Sequence, residues 1–248
     1  MRITPVNENT VMVYFADRTS PETADNIAAI CPLLRAELGQ YLIDIIPSYT
    51  SILVTFDLIA IGLRDFSRML KRVLAHAEQM QHQAGLSPMI ELPVYYGPEV
   101  SLDAEEISRH TGLDFKQIIE IHASTVYRVY AIGFAPGFAY LGNTDSRIQI
   151  PRKQTPRAKV PKGSLALADQ QTAIYPKSSP GGWQIIGRTP VDLIDFERDN
   201  LTMFEMGARV KFNPISREEF LALGGVIETD EYARVSDAAA TMPVREVA

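Results

Sequence analysis

Residues 164–188 read SLALADQQTAIYPKSSPGGWQIIGR, and this stretch decides the fold. Ser164 to Ala168, Thr172 to Tyr175 and Trp183 to Gly187 are short β-type runs, cut by Pro176 and by Pro180-Gly181-Gly182. Apolar runs this short, bounded by turn residues, make strands rather than helices. The same texture extends outward, with Tyr127 to Phe134 before it and Val191 to Phe196 and Arg209 to Phe212 after it. Many short strands at close spacing imply a barrel or sandwich rather than a doubly wound sheet.

Toward the N-terminus the pattern mixes strand and helix. Thr10 to Ala16 is β-rich, and Ser20-Pro21-Glu22 supplies an N-cap, a proline at the first helical position and an early acid. A helix to about Leu38 follows, with a kink expected at Pro32. Tyr41 to Ile46 and Ser51 to Phe56 form a hairpin turning at Pro47-Ser48-Tyr49. From Leu63 to Gln83, apolar Phe66, Leu70, Val73, Leu74 and Ala77 recur at helical spacing. Gly85-Leu86-Ser87-Pro88 reads as an interdomain break, and Met89 to Tyr96 as the next strand. Two helices follow, Ser101 to His110 with Ser101 as its cap, and Asp114 to Ala123; Ser216 to Leu223 closes the fold. The expected organisation is α+β: an α/β domain over 1–87, a β-barrel domain over 88–223 and a mobile tail over 224–248.

The 248 residues, 46% apolar and 22% charged, suit a globular chain with a real core. No apolar run approaches the ~20 residues that span a bilayer, and Met1-Arg2-Ile3-Thr4-Pro5 opens no signal peptide, so a cytoplasmic protein is expected. Cys31, the one cysteine, excludes an internal disulfide and a multi-thiolate metal site and reads as a small buried hydrophobe. A net charge of −6 argues against nucleic-acid binding.

That total hides an uneven distribution. Arg147 to Arg188 holds eight cations and one acid, Asp169, a local +7 against −13 over the rest. Five prolines, four glycines and the single tryptophan, Trp183, lie in the same segment. Fixed backbone, a rigid apolar face and charge-assisted donors suit a preformed pocket for an anion. Pro151-Arg152, Pro156-Arg157 and Pro161-Lys162 recur every five residues, an odd spacing that alternates faces of a strand; an irregular loop lets them converge. Solvated barrel crossovers use the same pairs, and that reading stands beside the anion site.

Gly182 to Thr189 has the spacing of a phosphate-binding P-loop, but Arg188 replaces its lysine and the flanks read as strand, so a tight turn at Gly181-Gly182 is preferred. The run from Tyr130 to Leu141 interleaves aromatics with glycine and proline, suited either to walling a pocket or to packing barrel turns. His122 is a proton-carrier candidate by its ordinary pKa near neutrality, with a structural role as the alternative. His76, His82 and His110 make no metal site, and hydrolase, metalloprotease and dinucleotide motifs are missing from the sequence.

GFAPGFAYL at 133–141, PRKQTPR at 151–157, VPKGS at 160–164, IYP at 174–176 and SPGGWQIIGRTP at 179–190 closely resemble the B subunit of 5-oxoprolinase (PxpB). That family, also labelled allophanate hydrolase subunit 1 and carrying the carboxyltransferase domain (subdomains C and D), includes the sporulation kinase inhibitor KipI. The resemblance implies a cyclophilin-like barrel after a small α/β domain. It also implies one component of an assembly that, completed by the C subunit of 5-oxoprolinase and its A subunit, opens 5-oxoproline to L-glutamate using ATP. ATP-derived phosphate on the lactam oxygen would turn a poor electrophile into one that water can open. His122, Arg152 and Arg157 then fall at positions expected to be catalytic. Tyr140, Lys162, Tyr175, Gly181, Gly182 and Trp183 fall where a small anionic substrate would bind. Two other settings share these motifs: inhibition of a sensor histidine kinase, and a carboxyltransferase-type component for a urea-like substrate. Lys153, Asp169 and Ala173 depart from the family's usual arginine and glycines.

Overall fold

The computed structural model describes residues 1–80, 89–197 and 201–227. The break at Gly85-Leu86-Ser87-Pro88, His82, the end of the second helix and the tail beyond residue 227 lie outside them.

The N-terminal part is a four-stranded antiparallel sheet under two helices. β1 (Arg2–Asn7), which carries no clear sequence signal, pairs with β2 (Thr10–Tyr14), and β2 pairs with β4 (Ser51–Phe56), which pairs with β3 (Leu42–Ser48). Strict alternation along β4 sends Ile52, Val54 and Phe56 inward. α1 (Pro21–Leu38) starts where Ser20 accepts the Thr23 N–H at 3.1 Å, and it runs on through Pro32. It buries Ala24, Ile27, Ile30, Leu34 and Leu38, and α2 (Leu63–Met80) adds Phe66, Leu70 and Leu74. The Phe56 and Phe66 rings stack at 4.2 Å, and burying each such side chain contributes about 1.5–3 kcal/mol. Cys31 packs partly buried against this core, and burial pushes its thiol up to about 11. The hairpin turn falls later than expected: β3 runs through Pro47 and Ser48, leaving Tyr49 (φ 46°) and Thr50 at the tip.

The sheet continues into the second half. One register pair, Ser48 with Ala131, joins β3 to β6 (Tyr127–Ile132), and the Tyr49 N–H donates to the Tyr130 carbonyl at 2.6 Å. From β6 the antiparallel order runs through β7 (Ala139–Gly142), β10 (Gln171–Ile174), β9 (Ser164–Ala168) and β12 (Gln184–Arg188). β5 (Met89–Val94) lies parallel to β13 (Arg209–Pro214), which also pairs with β6. β8 (Arg157–Val160) and β11 (Ser179–Gly181) form a separate two-stranded ribbon.

The architecture is therefore mixed α+β with a large, mainly antiparallel sheet, and the expected barrel is not closed by strand ladders among the described residues. β5 ends at Val94 and β12 is bulged between Ile185 and Gly187. Across that gap only Tyr95 and Arg188 pair, exchanging two backbone hydrogen bonds of 2.8 Å. Gly187 permits the approach, since a Cβ there would sit 2.8 Å from the Tyr95 carbonyl oxygen. The β-like run Val191 to Phe196 makes no strand; it follows the donorless Pro190 and contributes a single bridge, Ile194 with Thr202.

α3 (Ala104–Thr111), α4 (Phe115–Ser124) and α5 (Arg217–Ala222) flank this sheet, the last two opened by capping boxes at Asp114/Gln117 and Ser216/Glu219. The N-cap position of α3 is held by Asp103, whose carboxylate makes no cap hydrogen bond, and not by Ser101, whose hydroxyl donates to the Ile186 carbonyl at 2.7 Å. No described helix is long and apolar enough to cross a membrane.

Candidate functional site

A cavity of about 270 Å³ opens where the Phe134–Tyr140 turn, the loop before β8 and the turn between β10 and β12 meet. Six sequence-selected residues line it: Tyr140, Arg152, Tyr175, Gly181, Gly182 and Trp183. Phe134, Phe138, Lys153, Pro156 and Pro180 complete the wall; the aromatic-rich 130–141 run signalled the first two, and it does wall a pocket. Phe138 sits at the centre, edge-on to Tyr175 at 5.5 Å and to Trp183 at 5.7 Å, the T-shaped geometry that aromatic quadrupoles favour. Gly181 is required by close approach, since a Cβ there would lie 2.2 Å from the Tyr175 Oη. Burial pushes the Tyr175 phenol up, partly offset by a hydrogen bond from the Trp183 backbone N–H and by Arg152, so the hydroxyl keeps its proton.

The cations sort differently from the expectation of three converging on one anion. Arg157 is clamped by Asp103, its two terminal nitrogens donating to Oδ2 and Oδ1 at 2.8 and 2.7 Å. Lys153 Nζ donates to the same Asp103 at 2.9 Å and to Glu106 at 2.5 Å. Burial pulls the Lys153 ammonium down, and these hydrogen bonds outweigh it, holding its pKa above the ordinary lysine value. The bond from Lys153 in turn holds the Glu106 carboxyl below its usual value. Lys162 pairs with Asp192 on the surface, and neither Arg157 nor Lys162 lines the cavity. Arg147 is matched by Asp145, and Arg188, in β12 rather than a phosphate loop, donates to the Val226 carbonyl at 2.8 Å.

Arg152 stands apart from these. Its guanidinium lies over the Trp183 ring at 5.5 Å, and no described carboxylate is within ion-pair distance of it. The aromatic face orients the cation without neutralising it, leaving its donors to an incoming anion. The two loops that carry Arg152 and Trp183 are pinned together by the Lys153 N–H, which donates to the Gly182 carbonyl at 2.7 Å.

Asp103 is the residue that the sequence left unread, because an acid at a helix start is explained by the helix dipole alone. Buried at 2% side-chain exposure, it binds Arg157, Lys153 and the Ile185 N–H at 2.7 Å, tying α3 to both cavity loops. His122 lies outside the cavity lining and is fully buried, with Nδ1 3.0 Å from the Tyr96 hydroxyl and Nε2 3.0 Å from Thr172 Oγ1. Desolvation lowers its pKa to about 3. Among the described residues no group of three or more His, Cys, Asp or Glu side chains is placed to hold a metal ion.

Comparison with known proteins agrees with this architecture. The chain is 32% identical over 229 residues to the B subunit of 5-oxoprolinase from Bacillus subtilis (strain 168), covering 89% of this chain and 95% of that protein. To the B subunit of 5-oxoprolinase from Escherichia coli O157:H7 it is 36% identical over 184 residues, 71% of this chain and 83% of that one. The crystal structure of TTHA0988 superposes with a TM-score of 0.73 at 28% identity over 85% of this chain, which spans 40% of that longer chain. Residues 1–204 match the model of the carboxyltransferase domain, subdomain C and D. By that match and by its identity to these relatives, the chain belongs to the carboxyltransferase domain, subdomain C and D, family.

Proposed function

We propose that the chain is the B subunit of an ATP-dependent 5-oxoprolinase that opens 5-oxoproline to L-glutamate, with the C subunit directly bound to it and the A subunit completing the assembly. The observation that carries this reading is Arg152: a cation held over Trp183, without a carboxylate partner among the described residues, in an aromatic cavity of about 270 Å³. A small cyclic carboxylate suits that environment. Its carboxylate takes the guanidinium donors, and its ring lies between the faces and edges of Phe138, Tyr140 and Trp183. Lys153 and Arg157, already matched by Asp103 and Glu106, hold the loops in place. His122, buried and neutral, belongs to the core and takes no part in proton transfer. ATP is consumed by the assembly. In this reading the γ-phosphoryl group of ATP would pass to the lactam oxygen with ADP leaving; water would then add to the activated carbon, the ring C–N bond would open and inorganic phosphate would depart, with positive charge at the site favouring the negative charge that develops.

Coexpression with homologues of the A and C subunits, followed by assay of glutamate from 5-oxoproline, is expected to give ATP-dependent release. No release with all three proteins present and folded would overturn the assignment. Arg152→Ala in that assembly is expected to raise KM for 5-oxoproline about tenfold, the loss of one charge-assisted hydrogen bond of ~1.5 kcal/mol. An unchanged KM removes the anion role from Arg152.

A further inference from the structure

Tyr49 stands at the tip of the β3–β4 hairpin, far in sequence from the cavity, and nothing in its surroundings in the chain marks it as functional. Its ring nevertheless stacks on Tyr130 at 6.3 Å and lies 6.4 Å from the ring of Tyr140, a cavity wall. Its backbone is in the left-handed region, φ 46°, where a bulky residue is uncommon, and its N–H is tied to the Tyr130 carbonyl at 2.6 Å. The side chain is thereby fixed at the junction between the two halves of the sheet.

The polar end of that ring is arranged to donate. Gln171 Nε2 donates to Tyr49 Oη at 2.6 Å, which occupies the oxygen as acceptor and leaves its proton available. Among the described residues nothing accepts that proton, and the Tyr140 hydroxyl is likewise without a hydrogen-bond partner. Burial pushes the Tyr49 phenol up, with the hydrogen bond from Gln171 and the charge of Arg152 acting to lower it and Tyr140 to raise it. A group of donors with no acid among them is what an oxyanion requires.

Tyr49 stands next to the cavity wall at Tyr140 rather than in the lining itself. We propose that it is a ligand-binding residue at the rim of the cavity, its hydroxyl donating, beyond Tyr140 and Arg152, to one oxygen of the bound oxyanion. This rests on the anion reading of the cavity and makes the site depend on the N-terminal hairpin. The oxyanion is the carboxylate of a small cyclic acid or a phosphate, and the test has an arm for each.

The single tryptophan lies in the cavity wall, so its emission reports binding. The full-length chain is titrated with L-5-oxoproline and, separately, with inorganic phosphate. Arg152→Ala, Tyr49→Phe and wild type are compared. The effective anion is expected to bind Tyr49→Phe about fivefold more weakly, with the ring and its stacking retained. A purely structural hydroxyl would lower the thermal midpoint and leave affinity unmoved. Wild-type affinity in Tyr49→Phe, with binding weakened in Arg152→Ala, overturns the Tyr49 assignment alone. A wild-type emission unmoved by either anion overturns both Tyr49 and the oxyanion reading beneath it.

Discussion

Replacing Asp103 by alanine is expected to remove about 3–5 kcal/mol of folding stability, the usual result of deleting one partner from a buried ion pair. Two cations lean on this carboxylate, Arg157 through two hydrogen bonds and Lys153 through one, and their side chains are only 16% and 20% exposed. Without Asp103 they remain in a poorly solvated position with the shared negative charge gone, and the Ile185 N–H, 2.7 Å from Oδ2, loses its side-chain acceptor. Asp103→Asn keeps the shape and the acceptor for Ile185 but not the charge, and should lose less. Urea denaturation checks both, and a change below about 1 kcal/mol in Asp103→Ala with an unaltered m value would contradict the assignment. The double variant Asp103→Ala/Arg157→Met should be less destabilised than the two single variants summed, because each single change strands the other partner's charge and the double variant strands neither of the two.

The effect on the site follows from the same bonds. Asp103 holds α3 against β12 and draws in Lys153, whose N–H closes on Gly182. Arg152 is the neighbouring residue, so its station over Trp183 depends on a carboxylate some fifty positions earlier. Trp183 emission should therefore shift in Asp103→Ala even in conditions where the chain stays folded.

What sequence makes visible is local, and what it hides is pairing across the chain. The start of α1 is legible because Ser20 and Pro21 act within one turn, and the start of α4 because Asp114 and Gln117 cap each other. β9, β10 and β12 emerge at close to their expected limits because proline and glycine punctuate them. The parallel pairing of β5 with β13 is not legible, because hydrogen bonds between residues 89–94 and 209–214 leave no mark on either segment's neighbours. The charge count misleads for the same reason. The excess of cations in Arg147 to Arg188 is real, but Asp103, Glu106 and Asp192, all outside that segment, fold back onto Arg157, Lys153 and Lys162, and Asp145, two residues before it, meets Arg147. Sequence therefore marks the right region, and only the fold shows that Arg152 lines the cavity without a described carboxylate partner while Arg147, Lys153, Arg157 and Lys162 are matched by acids. Ser101 has the chemistry of a cap, yet its hydroxyl is spent on the Ile186 carbonyl of a strand 85 residues away.

His122 supplies the second large expected effect, a loss of about 2 kcal/mol of stability between pH 7 and pH 5. Thr172 Oγ1 donates its own proton to the Ala166 carbonyl at 2.9 Å, so it can only accept from His122 Nε2. The Nδ1 atom must then accept from the Tyr96 hydroxyl, which fixes the neutral Nε2–H form. Tyr127 and Phe212 cover the ring at 5.0 Å each, and no charged side chain among the described residues touches it. A second proton would reach Nδ1 only by breaking the Tyr96 bond and charging a fully buried ring. Desolvation thus lowers its pKa from 6.5 to about 3. The unfolded chain binds this proton below pH 6.5 while the folded chain refuses it until about pH 3, so the contribution is complete above 6.5 and is lost as pH falls through that window. Each pH unit inside the window costs about 1.4 kcal/mol, which gives about 2 kcal/mol by pH 5, above the range where Glu106 and Asp145 begin to take up protons. Urea denaturation at pH 7 and pH 5 measures the loss in wild type. His122→Gln, able to donate to Thr172 and accept from Tyr96, should remove this part of the pH slope, and the His122 Cε1–H resonance of the wild type should stay still over the interval. An undiminished slope in the variant, or a resonance that titrates near pH 6, would return His122 to the set of groups able to carry a proton.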